Sequence, residues 1–471
     1  SVASRGLGDV YKRQVGRCGY TRTTPRIERH LSMNTPHPLQ QVFRDRRQRL
    51  CASLQDGIAI LPTAAEKTRN RDAHYPYRFD SYFYYLTGFT EPEAVLVLIG
   101  GNPGQSILFC REKDELRETW EGVRHGPTRA QSRFAFDACY PISELDTRIT
   151  TWLANQHSVY YALGDDAAWD TRIQLWLSRV REQVRTGIEA PTRLVDVRQV
   201  LDEMRVIKDA SELDIMRRAA AISAQAHQRA MQHTRPGRYE YEIEAELLYA
   251  FRRGGAQAPA YTSIVAGGAN ACVLHYVSND AVLRDGDLLL IDAGCELDGY
   301  ASDITRTFPV NGVFSGAQRS LYALVLAAQD AAFQAIQPNA TWNAPHDAAV
   351  RVLTQGMLDL GLLQGSLDAA LETESYRRFY MHRTGHWLGL DVHDAGSYKQ
   401  AGQWRALQPG MVLTVEPGIY VRAADDVPTA FHDIGIRIED DVVITPKGHE
   451  VLTHATPKSI DDIEALMRAA R

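Results

Sequence analysis

Residues 288–308 read LLLIDAGCELDGYASDITRTF, and how this stretch folds decides the architecture of the C-terminal half. The apolar run Leu288–Ile291 has the character of a buried strand that ends on a carboxylate, Asp292. Asp298-Gly299 is then a hairpin-type turn signal. A second carboxylate, Asp303, follows 11 residues after the first. A hairpin of that length predicts the two acids side by side on adjacent strands. Burying one carboxylate in a sheet is costly, and burying two together is worse unless a cation neutralises them. The pair therefore predicts a metal ion, although either aspartate taken alone is as readily a turn cap or a solvent-facing side chain.

Outward from the hairpin, short strands such as DLLLID (287–292) and MVLTVEPG (411–418) alternate with helices such as RSLYALVLAAQDAAFQAI (319–336). This pattern predicts an α+β domain on a curved sheet over residues 206–471. Its first long helix is announced by a capping box, Asp209-Ala-Ser-Glu212, with Leu213, Met216 and Ala220 at helical spacing beneath. Upstream, FRDRRQRLCASL (43–54), IAILP (58–62), FYYLTGF (83–89) and AVLVLIG (94–100) alternate helix-like and strand-like character, which predicts a smaller α/β domain over residues 33–205.

Three further hard ligands lie within the C-terminal half. His386 sits in HRTGHWLGLDVHD, where Gly385 and Gly389 let the backbone pass close to a ligand, and His382 and His393 flank it within twelve residues. Glu416 precedes Pro417, which biases it toward extended geometry at a strand end. Period-two alternation in IRIED puts Glu439 on the same face as Arg437, an arrangement that an ordinary ion pair would also explain. Four carboxylates and one imidazole without a thiolate suit manganese, and permit cobalt or zinc. Two divalent ions balance the four carboxylates, and a pair about 3.5–4 Å apart would share a hydroxide nucleophile suited to hydrolysis.

Composition narrows the setting. With 471 residues, 44% hydrophobic and 23% charged, the chain has the make-up of a globular protein of two domains. A net charge of −6 argues against a nucleic-acid partner, and no apolar run approaches the roughly 20 residues of a membrane span. Six scattered cysteines without a CxxC pair suggest reduced thiols in a cytoplasmic protein. Residues 1–32 carry seven basic and two acidic residues without apolar periodicity ahead of Met33. They are expected to be a non-native or disordered leader, with an organelle transit peptide as the alternative. Removing their net +5 leaves −11 on the remainder.

The motifs DAGCELDGYASDITRTFPVNG (292–312), HRTGHWLGLDVHDAG (382–396), TVEPGIYV (414–421) and GIRIEDDVVIT (435–445) together resemble the pita-bread metallopeptidases. YPYRFDSYFYYLTGFTEPEAVLVL (75–98) is similar to the N-terminal domain of the aminopeptidase P group within them. The resemblance implies a pita-bread catalytic domain that binds two divalent ions through Asp292, Asp303, His386, Glu416 and Glu439, with Asp303 and Glu439 bridging. It implies that His275, His382 and His393 line the substrate site, that Arg437 supports the metal shell and that Glu416 is the acid/base. The implied substrate is a peptide with proline second, from which the first residue is released. A prolidase restricted to Xaa-Pro dipeptides and a non-catalytic pita-bread binding protein are the alternatives. Trp120, in ETWEGVR, matches a tryptophan that reaches a neighbouring subunit's site, which implies a homo-oligomer, dimer or tetramer; ordinary core packing is its other reading. Tyr82 departs from the pattern, standing where relatives often have Asp or Asn, and a different preference at the first substrate position would follow.

Overall fold

A computed structural model of the protein describes residues 35–471; the expected leader at 1–32, and Cys18 with it, lies outside the described residues. The chain opens on helix α1 (Gln40–Leu54), strand β1 (Gly57–Pro62) and helix α2 (Ser81–Thr87), followed by strands β2 (Val95–Ile99), β3 (Gln105–Cys110), β4 (Ala138–Pro141), β5 (Ser158–Tyr160) and β6 (Arg193–Val195). These six strands form one mixed sheet in the order β4-β3-β2-β1-β5-β6. Alternation explains why its central strands are apolar throughout. Ile58, Ile60, Val95 and Val97 face a cluster with Leu145, Ile149 and Trp176, while Ala59, Leu61, Leu96 and Leu98 face the opposite core with Leu50 and Phe83. Helices on both sides leave neither face to solvent, so no polar alternation appears.

Helix α3 (Arg198–Val206) leads to α4 (Ala210–His233), whose start is the capping box read from the sequence: Asp209 Oδ1 accepts from the Glu212 amide, and Glu212 Oε2 accepts from that of Asp209. Helix α5 (Glu240–Gly254) follows. The curved sheet is built from short antiparallel ladders. Strands β7 (Ile264–Gly267), β8 (Leu288–Asp292) and β9 (Thr305–Pro309) pair around β8, with Asp292 opposite Thr305. Helices α6 (Gly316–Ala335) and α7 (Ala344–Asp359) pack on each other and cover the sheet. Strand β10 (Val412–Val415) is followed by β11 (Gly418–Val421), β12 (Ile434–Arg437), β13 (Asp440–Thr445) and β14 (Gly448–Val451); β10 pairs with β13, β13 with β14, and β11 with β12.

The breaks between these ladders matter most. They fall at Asp292, at Glu416-Pro417 and at Ile438-Glu439, and are stitched by the Glu439 amide donating to Thr305 O at 3.0 Å. Asp298 and Gly299 form the expected turn, with φ of 49° and 86°. The two aspartates are not both on strands, however: Asp303 lies two residues before β9, because a small hairpin, Cys295–Leu297 with Tyr300–Ala301, intervenes. Gly294 makes this crossing feasible, since a Cβ there would sit 1.7 Å from Ser302 O. Among the described residues no helix is long and apolar enough to cross a membrane.

Candidate metal centre

Because the ladders break where acidic residues stand, carboxylates from several strand ends converge on one hollow. A cavity of about 940 Å³ is lined by Asp292, Asp303, His386, Glu416 and Glu439, together with His275, His382, His393 and Arg437. One oxygen or nitrogen atom from each of Asp303, His386 and Glu439 lies within 4.8 Å of the others. His386 Nε2 is 3.5 Å from Asp303 Oδ2 and 3.8 Å from Glu416 Oε1. Its Nδ1 is 2.9 Å from Trp387 O, and donation there leaves Nε2 as the free ring nitrogen facing the carboxylates.

The remaining contacts orient these acids. The Tyr261 hydroxyl lies 2.6 Å from Asp292 Oδ1 and also contacts Asp303 Oδ1. Arg437 Nη2 donates to Asp292 Oδ2 at 2.6 Å and Nη1 to the Tyr420 hydroxyl at 2.9 Å. Thr305 Oγ1 donates to Glu439 Oε2 at 2.7 Å, and the Asp303 amide donates to Asp441 Oδ2 at 3.0 Å. His382 Nε2 is 2.8 Å from the Tyr420 hydroxyl, and the His386 and His393 rings lie 4.2 Å apart.

The electrostatics record a crowd of acids short of positive charge. Burial and the neighbouring Asp303, Glu416 and Asp292 push the Glu439 carboxyl well above the usual range. Burial and Asp292 raise Asp303, and burial lifts Glu416 to about 7 despite His386 and Arg437. Burial pulls His386 down, yet Asp303 and Glu416 outweigh it and carry the imidazole to about 9. His382 is lowered to about 4 by burial and by Arg437, so its ring is neutral near pH 7. One tyrosine proton cannot satisfy two ionised carboxylates. A set of hard oxygen donors with one imidazole nitrogen not bonded to the backbone, and with Arg437 bonded to Asp292, fits divalent cations, which would displace the extra proton from His386.

All nine residues expected at the site line this one cavity. Two further expectations fare differently. Trp120, on the short helix Glu115–Glu121, is 83% exposed, which excludes the core-packing reading. The Tyr82 hydroxyl donates to Asp202 at 2.6 Å beneath the Arg205 guanidinium, and the residue does not line the cavity. Sequence reading missed Tyr261, Thr305, Tyr420 and Asp441. Thr305 was accessible by alternation from Asp303; nothing in PAYTSIV (259–265) points to Tyr261.

Comparison with known proteins agrees with this fold. The metallopeptidase family M24 matches residues 214–446, and the aminopeptidase P N-terminal domain matches residues 43–160. The chain is 47% identical over 430 residues to the Xaa-Pro aminopeptidase of Haemophilus influenzae, covering 91% of this chain and 97% of that one. It is 45% identical over 435 residues to the Xaa-Pro aminopeptidase of Escherichia coli, covering 92% and 98%. The Pseudomonas aeruginosa aminopeptidase PepP superposes with a TM-score of 0.90 at 51% identity, covering 92% of this chain and 99% of that one. A zinc-substituted Escherichia coli aminopeptidase P in complex with product superposes equally well, at 44% identity, covering 92% and 99%. The pita-bread half, the α/β domain ahead of it and the convergent acids thus have one common explanation: this chain belongs to metallopeptidase family M24 and carries the aminopeptidase P N-terminal domain.

Proposed function

We propose that the protein releases the N-terminal residue from peptides with proline at the second position, the activity that names its relatives. The observation that carries this reading is the gathering of four carboxylates and His386 in the same cavity wall as three further histidines and Arg437. Asp292, Asp303, His386, Glu416 and Glu439 would hold two divalent ions, and of these Asp303, His386 and Glu439 offer ligand atoms within 4.8 Å of one another. Manganese is the metal expected of this oxygen-rich set, with cobalt or zinc as substitutes. Bound there, such ions supply Lewis acidity, lowering the pKa of water and offsetting charge on the carbonyl oxygen.

The chain's own groups do the rest. Arg437 fixes the Asp292 carboxylate, and Tyr420 ties Arg437 to His382. Glu416, which lines the same wall with Oε1 3.8 Å from His386 Nε2, is assigned to accept and return a proton. His275, His382 and His393 face the substrate and bind its carbonyl groups. A bond before proline offers no amide N–H and restricts the preceding residue. A site acting on carbonyl oxygens has no need of that N–H.

Exposed Trp120 is assigned to a homo-oligomer contact, dimer or tetramer, that brings it to another copy's cavity. The described cysteines, all unpaired, fit a reducing cytoplasm. The decisive experiment supplies manganese and compares an Xaa-Pro-Xaa tripeptide with an Xaa-Pro dipeptide. Release of the first residue from the tripeptide is expected; turnover of the dipeptide alone would make the protein a prolidase.

A further inference from the structure

The histidine loops of the cavity lack regular secondary structure, so groups outside the cavity must hold them. For His275, on the segment between β7 and β8, the structure assigns that task to Glu240, the first residue of α5, as a positioning residue. This inference rests on the proposed function, in which His275 faces the substrate.

Glu240 is fully buried, and among the described residues no cation lies within ion-pair distance of it. Its carboxylate is instead satisfied by four donors. Oε1 accepts from the Gly267 amide at 2.7 Å and Asn270 Nδ2 at 3.1 Å, and Oε2 accepts from the Tyr276 hydroxyl and the Ala281 amide, both at 2.8 Å. The donors run from Gly267, the last residue of β7, to Ala281, and so lie on both sides of His275. A buried carboxylate without a cation persists only where such donors replace water, and the N-terminus of a helix adds a favourable dipole.

The consequence for His275 is geometric. Its two neighbours, Leu274 and Tyr276, pack against the apolar cluster of Ile264, Ala266, Leu290 and Tyr420, while His275 itself is exposed and lines the cavity. Tyr276 therefore has its ring held by that cluster and its hydroxyl held by Glu240, one residue from the imidazole. Asn279 fastens the far side, accepting from the Val265 amide at 3.0 Å and donating to Ser263 O at 2.8 Å. Loop path and imidazole position are thus set from α5.

A double-mutant cycle tests the assignment. Glu240→Gln keeps the shape but sets its one NH₂ group against one of the two donor pairs, leaving the backbone amide of Gly267 or of Ala281 without its acceptor. In the manganese-loaded protein it should lower kcat/KM on an Xaa-Pro-Xaa tripeptide at least tenfold while His275 is present, and less than twofold in the His275→Ala background. Equal losses in both backgrounds would overturn the assignment, because Glu240 would then serve the fold at large. Should Glu240→Gln not fold, Tyr276→Phe removes one of the four bonds, with a several-fold loss expected only while His275 is present; equal losses again overturn it. Hydrogen exchange reads the claim without turnover: Glu240→Gln or Tyr276→Phe should speed exchange over 268–281 and leave 382–396 unchanged, and unaltered exchange at 268–281 would overturn it. A wild-type protein inactive on every such peptide would sink the proposed function, with the exchange result still deciding the role of Glu240.

Discussion

For single side chains, the charge crowded into the cavity sets how the metal-free protein responds to pH. Glu416 and Glu439 have folded pKa values raised by burial first and then by the neighbouring Asp303 and Asp292, with Glu416 also raising Glu439. A raised carboxyl contributes stability that is present below its ordinary value near 4.5 and is lost as pH climbs through the folded value, about 7 for Glu416. His386, raised to about 9, acts in the same direction, contributing below 6.5 and losing its contribution as pH rises through 9. The buried neutral histidines, among them His382 at about 4, act in the opposite sense below pH 6.5; the melting temperature of chelated protein should therefore fall by several degrees from pH 7 to 9, and added manganese should restore most at the alkaline end. A flat or rising profile would contradict the burial described here. At this scale the sequence was generous with residues that bear charge and silent about those that manage it. Asp292, Asp303 and His386 announce themselves by type and spacing. Tyr261 and Tyr420 do not, because a tyrosine that serves carboxylates reads like one that fills a core.

Among the elements, the turn that carries the histidines is held by ions from another part of the chain. Asp394, next to His393, lies 2.5 Å from Arg205 Nη2 and 2.8 Å from Lys208 Nζ, with all three side chains buried. Its amide donates to Trp387 O, which closes the turn on the residue after His386. Removing one partner from a buried pair leaves an uncompensated charge and costs about 3–5 kcal/mol. Asp394→Asn should lose stability of that order in denaturant titration and reduce activity with it; a variant within experimental error of wild type would show that the clamp is dispensable. The Asp298-Gly299 turn and the Asp209 cap were legible because local backbone demands select those residues. The path of 382–396 was not, since its shape is set by Arg205 and Lys208, nearly 200 residues away in the chain.

Across the whole molecule, the N-terminal domain braces the catalytic one. Arg46 of α1 pairs with Asp209 and Glu212 at the start of α4, and Arg78 and Ser81 reach Leu390 O and Asp391 in the histidine turn. Its outer face carries Leu116 and Trp120, which fits contact with another copy. Trp120→Ala should leave the melting temperature within about a degree, as expected of an exposed side chain. It should raise KM for the tripeptide if the partner's indole meets the substrate, and steady-state kinetics beside light scattering decide this. The two-domain pattern was readable from alternation and length, whereas the bracing was not, because long-range ion pairs leave no periodic trace.

The position of Arg205 bears on how such a protein can be taken apart. It belongs to the last turn of α3, yet its guanidinium is spent inside the neighbouring half, against Asp394. An engineer who severed the chain at that seam to obtain a free-standing catalytic fragment would discard the very cation that shapes the histidine turn, so the architecture resists modular dissection and the two halves must be inherited, swapped or redesigned as one piece.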